Sequence, residues 1–336
     1  MTDPTPLLQV QGLVKHFPLR SGLLDRMQRR PAQVIRAVDG VDLTIREGET
    51  LALVGESGCG KSTTGRCILY LQDPTAGTVQ LRGQTINPSN ASEMRERRKQ
   101  LQIVFQDPNS SLNPRMTVSQ TLEEALAFHK IVPKSERANR VRELLLTVGL
   151  NESFRGRYAN ELSGGQRQRI GIARALAVDP EIIVADEAVS ALDVSVQAQI
   201  LQLLSRLREE KGLAYLFISH QLGVVRSIAD TVAVMYLGKI VEQAPTELIF
   251  RMPLHPYTQA LMAAAPIPNP RARRDRIILT GEPPSAVNPP SGCRFRTRCR
   301  YATDQCAAEV PELREIEPAH LVACHYAGEL PELKVL

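Results

Sequence analysis

The chain has 336 residues, more than one hydrophobic core usually needs, so two domains are expected. It has no Trp and only 4% aromatic residues, too few for a base-stacking surface, and no nucleic-acid partner is expected. The net charge of +5 is spread along the chain and suits a nucleotide or an anionic membrane surface without choosing between them. No apolar run reaches the ~18 residues of a membrane span. The segment Met1 to Pro6 lacks the basic-then-apolar order of a signal peptide.

Residues 8–17 read as a strand, and Phe17 at its end could pack in a core or stack on a base. Residues 20–36 carry Arg20, Arg26, Arg29, Arg30 and Arg36 against the single acid Asp25, and read as a solvated basic insertion. Residues 38–45 alternate apolar and polar side chains as a half-buried strand does. The apolar run 51–54 then reads as a buried strand. It leads into Gly55, Glu56, Ser57, Gly58, Cys59, Gly60, Lys61 and Ser62, which spell the phosphate-binding sequence G-x-x-x-x-G-K-S, with Thr63 just beyond. A helical stretch, 63–71, follows, and strand, glycine loop and helix together form the context that this motif requires. The glycines let several N–H groups converge on one anion, and the helix opening at Lys61 adds its positive end. Lys61 would lie between β- and γ-phosphates, and the Ser62 hydroxyl would ligate Mg²⁺. Use of ATP and the missing signal sequence point to the cytoplasm.

Residues 77–86 read as an edge strand, and 101–105 as a buried strand ending at Gln106. After a polar loop, 107–115, come two helical patterns at 119–130 and 135–148. Leu162-Ser163-Gly164-Gly165-Gln166 opens a further helix to residue 177, with Ser163 as its N-cap. The apolar run 182–185 ends at Asp186 and Glu187, a helix spans 195–211, and the run 216–218 ends at Ser219 and His220. Residues 232–241 read as a hairpin around Leu237-Gly238. Four buried strands separated by helical or loop segments imply a largely parallel sheet. Lys61, Gln106, Asp186, Glu187 and His220 fall at the C-terminal ends of such strands, where open α/β sheets bind ligands.

Beyond about residue 250 prolines leave room only for short elements. Four of the six cysteines gather there: Cys293, Cys299, Cys306 and Cys324. In a reducing compartment such a cluster suggests a metal centre before disulfides, one that would staple a segment too short to bury a large core. The spacing C-x5-C-x6-C-x17-C has no close C-x2-C pair of the kind zinc sites often begin with. A [4Fe–4S] cluster, zinc with His320 or His325 as substitute ligands, and unligated packing cysteines all remain open on ligand count alone.

The ordered set of Phe17, Gly55 to Ser62, Gln106, Ser163 to Gln166, residues 182–187, Ser190 to Asp193 and His220 resembles the nucleotide-binding subunits of ABC transporters over residues 8–250. That resemblance implies an α/β P-loop ABC nucleotide-binding domain. Its parts would be a RecA-like, mostly parallel sheet, an antiparallel β subdomain and a helical subdomain near 116–175. It also implies site roles. Phe17 stacks the adenine, and the loop from Gly55 to Thr63 holds the phosphates. Gln106 and Asp186 support Mg²⁺, Glu187 polarises the attacking water, and His220 contacts the γ-phosphate. Ser163, Gly164, Gly165 and Gln166 face the ATP of a second ATPase subunit. Two departures from the family pattern, Ala188 for Pro and Gln221 for Asp, remove no catalytic group but leave the rate open.

His255-Pro256-Tyr257, Gly281-Glu282-Pro283-Pro284 and the four-cysteine segment resemble the ATPase subunits of dipeptide and oligopeptide importers, with residues 251–336 as a small C-terminal Cys-rich domain. The basic insertion resembles that of the second of their two ATPases. The resemblance favours [4Fe–4S] for the cysteines. It implies a peripheral place on the cytoplasmic face of the cell membrane, with a second ATPase, two permeases and, indirectly, an extracellular peptide-binding protein. Nickel or glutathione importers and soluble non-transport ABC ATPases are the alternatives.

Overall fold

The computed structural model describes residues 6–19, 33–107, 111–264, 279 and 281–331. Most of the basic insertion, residues 20–32, lies outside the described residues, as do Pro266, Pro268 and Pro270. The strands are β1 (Leu8–Pro18), β2 (Val34–Ile45), β3 (Thr50–Val54), β4 (Ala76–Leu81), β5 (Gln84–Thr85), β6 (Leu101–Val104), β7 (Ile182–Asp186), β8 (Ala214–Ser219), β9 (Thr231–Tyr236), β10 (Lys239–Pro245), β11 (Arg314–Glu317) and β12 (His320–Val322). They belong to two compact units. One comprises Met1–Thr44, Leu51–Thr85 and Ser219–Leu336, the other Ile45–Thr50 and Ile86–Ile218.

In the first unit, β2-β1-β4-β5 form a four-stranded sheet, antiparallel between β1 and β4 and between β4 and β5. The stretch expected to be an edge strand is therefore internal at β4. Leu8, Val10, Val79 and Leu81 are all buried, and Leu8 faces Leu81 while Val10 faces Val79 in register. The unit also contains the strand order β11-β12-β10-β9-β3. Here β3 runs parallel to β9, and the remaining pairs are antiparallel. Every residue of β3 is buried, as its unbroken apolar run requires of a strand covered on both faces. The helix Lys61–Ile68 follows β3 directly.

The expected separate C-terminal domain is not set apart as a compact unit of its own, since Ser219–Leu336 belongs to the first unit. Strand β12 hydrogen-bonds to β10, placing Val322 opposite Glu242, and so extends the first unit's sheet. Leu254, Val322 and Ala327 make a small core there, with Met252, Ile316 and Cys324 packed against it, all from the C-terminal segment. The segment thus joins an existing sheet and adds only a small core of its own. A buried polar knot fixes this junction. Glu242, fully buried on β10, accepts from the N–H groups of Leu254 (2.7 Å) and His255 (3.0 Å), and its Oε1 lies 2.7 Å from His320 Nε2. His320 Nε2 is thus engaged by Glu242, while its Nδ1 is buried without a hydrogen-bond partner. Burial depresses the His255 pKa to about 4, so its imidazole is neutral and its Nδ1 accepts from the Tyr257 N–H at 3.0 Å.

In the second unit β6, β7 and β8 are parallel, with Val104 beside Ala185 and Ala185 beside Phe217. The helices Val118–Phe128, Arg137–Thr147 and Gly164–Leu176 pack on one another and bury Leu122, Leu126, Val141, Leu145 and Ile170. Two of them start from capping boxes, Thr117 with Gln120 and Ser163 with Gln166. The helix Ala91–Gln100 was not expected from the sequence. It is charged nearly throughout and buries only Met94, so it carries no apolar stripe to read.

Candidate functional site

The phosphate loop lies in the first unit, between β3 and the helix Lys61–Ile68. Two of its glycines are obligatory. Gly55 has φ +154°, and a Cβ there would lie 2.2 Å from the Met235 carbonyl oxygen. Gly60 has φ +113°, and its Cβ would lie 2.1 Å from the Ala37 oxygen. Lys61 is buried, and its Nζ donates to the Gly55 and Glu56 carbonyls at 2.8 and 2.9 Å. The ammonium is therefore folded back onto the loop at its centre. Ser62 and Thr63 occupy the first turn of the helix and are half-buried. Cys59 is buried, burial raises its thiol pKa, and its carbonyl accepts from the Gly238 N–H at 2.9 Å. It is a packing residue within the loop, as is Cys67 in the helix. The Glu56 side chain faces Arg298, with two hydrogen bonds of 2.8 and 3.1 Å. Phe17, at the end of β1, is half-buried with Lys15 Nζ 5.0 Å from its ring centroid, so it is not a core residue. His220 follows β8 and is exposed.

In the second unit Asp186 ends β7 and is 2% exposed. Glu187, next in line, is half-buried with φ +48°. Its Oε2 accepts from Gln106 Nε2 at 2.7 Å, so the expected base and an expected Mg²⁺-supporting residue meet directly. The backbone of Glu187 is fixed on both sides. Its N–H donates to the Ile218 carbonyl at 3.0 Å, and its own carbonyl accepts from Ser190 N–H and Oγ at 3.1 and 3.0 Å. The following turn is held by Gln197, whose Nε2 donates to the carbonyls of Val189 (2.8 Å) and Leu192 (3.0 Å). Asp193 caps the helix Val194–Lys211, and its hydrogen bond from Ser195 Oγ holds its pKa down.

Ser163 is the N-cap of Gly164–Leu176, as the sequence implied. Its Oγ accepts from Gln166 N–H at 3.3 Å, and Gln166 Oε1 accepts from Ser163 N–H at 2.9 Å. Ser163 and Gly164 are exposed, so a helix N-terminus faces outward. Gly165 is needed for packing, because a Cβ would meet Val196 Cγ1 at 2.5 Å.

Among the described residues no three or more His, Cys, Asp or Glu side chains are grouped to hold a metal ion, so the expected metal centre is not established by the geometry. Cys293, Cys299, Cys306 and Cys324 nevertheless line one small cavity, with His325 and Tyr326 beside them. The loop that carries them closes through a hydrogen bond from Cys293 N–H to the Cys306 carbonyl at 2.8 Å. Burial raises the thiol pKa values of Cys293 and Cys324 to about 11, and Cys299 in the same direction. Sulfur is the donor type that metal–sulfur groups take, and all four sulfurs line this cavity without being grouped to hold an ion.

The residues between the cysteines were not expected to matter. Arg294 bonds to Asp39 and to the Leu237 carbonyl, Phe295 joins a ring cluster with Tyr236 and Tyr257, and Arg298 reaches Glu56. In sequence Arg294, Arg296, Arg298 and Arg300 look alike, and only burial separates the first and third of them from the others.

Residues 38–190 match the ABC transporter family, and residues 241–306 match the C-terminal region of oligopeptide/dipeptide transporters. The chain is 51% identical over 322 residues to the oligopeptide transport ATP-binding protein AppF of Bacillus subtilis, covering 95% of this chain and 97% of that protein. It is likewise 51% identical over 324 residues to a putative peptide import ATP-binding protein of Brucella ovis, covering 96% and 98%. Among solved structures it resembles cbiO1 of Clostridium perfringens, part of the cbiONQ ABC transporter complex, with 26% identity and TM-score 0.62 over 73% of this chain and 91% of that one. It also resembles the ATP-binding cassette MJ0796, solved as a dimer in a post-hydrolysis state with ADP and Pi, at 32% identity and TM-score 0.61 over 71% and 98%. With its phosphate loop, its acidic β7 end and its capped glycine helix in place, the chain belongs to the ATP-binding subunits of the oligopeptide/dipeptide ABC transporters.

Proposed function

We propose that this chain hydrolyses ATP to power import of di- or oligopeptides through a membrane complex. Half-identity over nearly the whole length to peptide-transport ATPases, C-terminal region included, carries that reading over a nickel, glutathione or soluble role. Gly55 to Thr63 bind the ATP phosphates, with Lys61 leaving its two carbonyl partners for phosphate oxygens. Phe17 stacks on the adenine, and His220 contacts the γ-phosphate. Ser62, Gln106 and Asp186 hold Mg²⁺, which neutralises charge on the phosphates when bound. Glu187 takes the proton of the attacking water as the water oxygen bonds to the γ-phosphorus and the bond to the β-phosphate oxygen breaks. The Gln106 amide orients the Glu187 carboxylate for that task. Ser163, Gly164, Gly165 and Gln166 present a helix N-terminus to the γ-phosphate on a second ATPase subunit. One chain then cannot complete a site.

Cys293, Cys299, Cys306 and Cys324 hold a [4Fe–4S] cluster in this reading, which ties the Pro-rich segment to the sheet. Supporting it are the shared cavity and the buried thiols. No helix of the described residues is long and apolar enough to cross a membrane. The chain is placed peripherally on the cytoplasmic face, on two permeases fed by an extracellular peptide-binding protein. The isolated chain is expected to hydrolyse ATP weakly, and its turnover to rise several-fold when the second ATPase and the permeases are added. A measured rate that is high alone and unchanged on assembly would contradict the shared-site reading.

A further inference from the structure

Glu56, the second residue of the phosphate loop, has every polar group engaged. Its N–H donates to Tyr257 Oη at 2.8 Å. Its carboxylate receives both terminal nitrogens of Arg298, at 2.8 and 3.1 Å. Its carbonyl receives Lys61 Nζ at 2.9 Å. One residue thus joins the lysine of the phosphate loop to two side chains more than 200 positions further on. The Arg298 side chain is 6% exposed, the Glu56 side chain 28%, and Tyr257 is fully buried. A bidentate pair with its guanidinium buried is stiffer than a fully exposed ion pair. Its footing is rigid as well. The Tyr257 ring lies 4.6 Å from Tyr236 and 5.5 Å from Phe295, centroid to centroid, and Tyr236 ends β9 next to the loop's contact at Met235. Gly55 already sits against the Met235 carbonyl, so the loop cannot relax toward β9. Within the loop the Glu56 carbonyl is held by Lys61 and by the Cys59 N–H at 3.3 Å, while its N–H and its carboxylate are held from outside the loop by Tyr257 and Arg298.

We propose that Arg298 and Tyr257 are positioning residues for ATP: by fixing the Glu56 peptide they hold the phosphate loop and Lys61 in the shape that receives phosphate. The proposal rests on the reading of Gly55 to Thr63 as the nucleotide site. A role confined to docking the C-terminal segment would alter thermal stability and leave nucleotide affinity alone, so both are measured.

Binding of a fluorescent ATP analogue and thermal melting are compared for the purified full-length chain and its variants. Arg298→Ala and Glu56→Ala should each weaken binding about tenfold, the size of a lost hydrogen bond to a charged group. The double variant should be no weaker than either single one, because both remove the same contact. Arg298→Lys should recover part of the loss. Tyr257→Phe, which removes one oxygen and keeps the ring packing, should weaken binding about threefold. Arg300→Ala, on the same segment but exposed, should bind like the parent. Lowered melting with unchanged affinity in Arg298→Ala and Tyr257→Phe would overturn the proposal. Should Arg298→Ala fail to fold, Tyr257→Phe decides, and parent-like affinity there overturns it. Lys61→Ala separates the two levels. Undiminished binding in that variant would overturn the nucleotide-site reading itself, whereas its loss beside parent-like Arg298→Ala would sink only the positioning role.

Discussion

Glu187→Gln should lower the turnover of this subunit's own catalytic site by roughly 10²–10⁴-fold, the usual worth of a general base, while ATP still binds. The substitution keeps the side chain's shape and leaves an oxygen to accept from the Gln106 amide, which now stands 2.7 Å from Oε2. What it removes is basicity. The groups assigned to the phosphates, Lys61 above all, are untouched. ATP should therefore bind and remain, and the ATP-closed state should accumulate. The assay must count this site apart from that of the partner ATPase, by single-turnover hydrolysis with the partner's own site inactivated. The unusual Ala188 does not alter this expectation. Glu187 is anchored through its N–H to Ile218 and through its carbonyl to Ser190, so its backbone is fixed without a proline behind it.

Replacing Cys299 and Cys306 by Ser should abolish the iron–sulfur chromophore altogether. Chain purified without oxygen should be brown, absorb broadly near about 400 nm as thiolate-ligated clusters do, and carry iron and sulfide. All four thiols line one cavity, although among the described residues no three or more side chains are grouped to hold a metal ion. Metal release should also loosen the segment from 293 to 324, whose own core is small. Colourless anaerobic protein, with stoichiometric zinc or with no metal, would count against the cluster.

The parts of the fold that could be read from sequence are those with a strong local period or a fixed backbone demand. Strands β3, β7 and β8 are built on the apolar runs 51–54, 182–185 and 216–218 and are fully buried. The phosphate loop was legible because glycine is forced at Gly55 and Gly60, where the Met235 and Ala37 carbonyls leave no room for a side chain. Ser163 was legible as a cap, and Gln166 completes the box. Other features depend on distant partners and leave no local trace. Strand β9 read as half of a hairpin with β10, and its parallel pairing with β3 is not encoded between residues 231 and 245. The three residues of β12 are too short to show a period, yet they join the C-terminal segment to β10. The meeting of Arg298 with Glu56 spans 242 positions, and nothing in the alternating arginines points to it. The helix Ala91–Gln100 offered only its cap, Asn90 accepting from Glu93 N–H at 3.3 Å.

ATP-driven uptake of radiolabelled peptide tests the central claim most directly. The chain is reconstituted into proteoliposomes with its partner ATPase and permeases, the binding protein being added outside. The account predicts that peptide accumulates only when ATP is inside. It also predicts that accumulation stops when Glu187→Gln replaces the parent chain in an otherwise intact complex that still binds ATP. Peptide accumulation that persists without ATP or with Glu187→Gln, or an assembled complex that moves nickel or glutathione but no peptide, would contradict it.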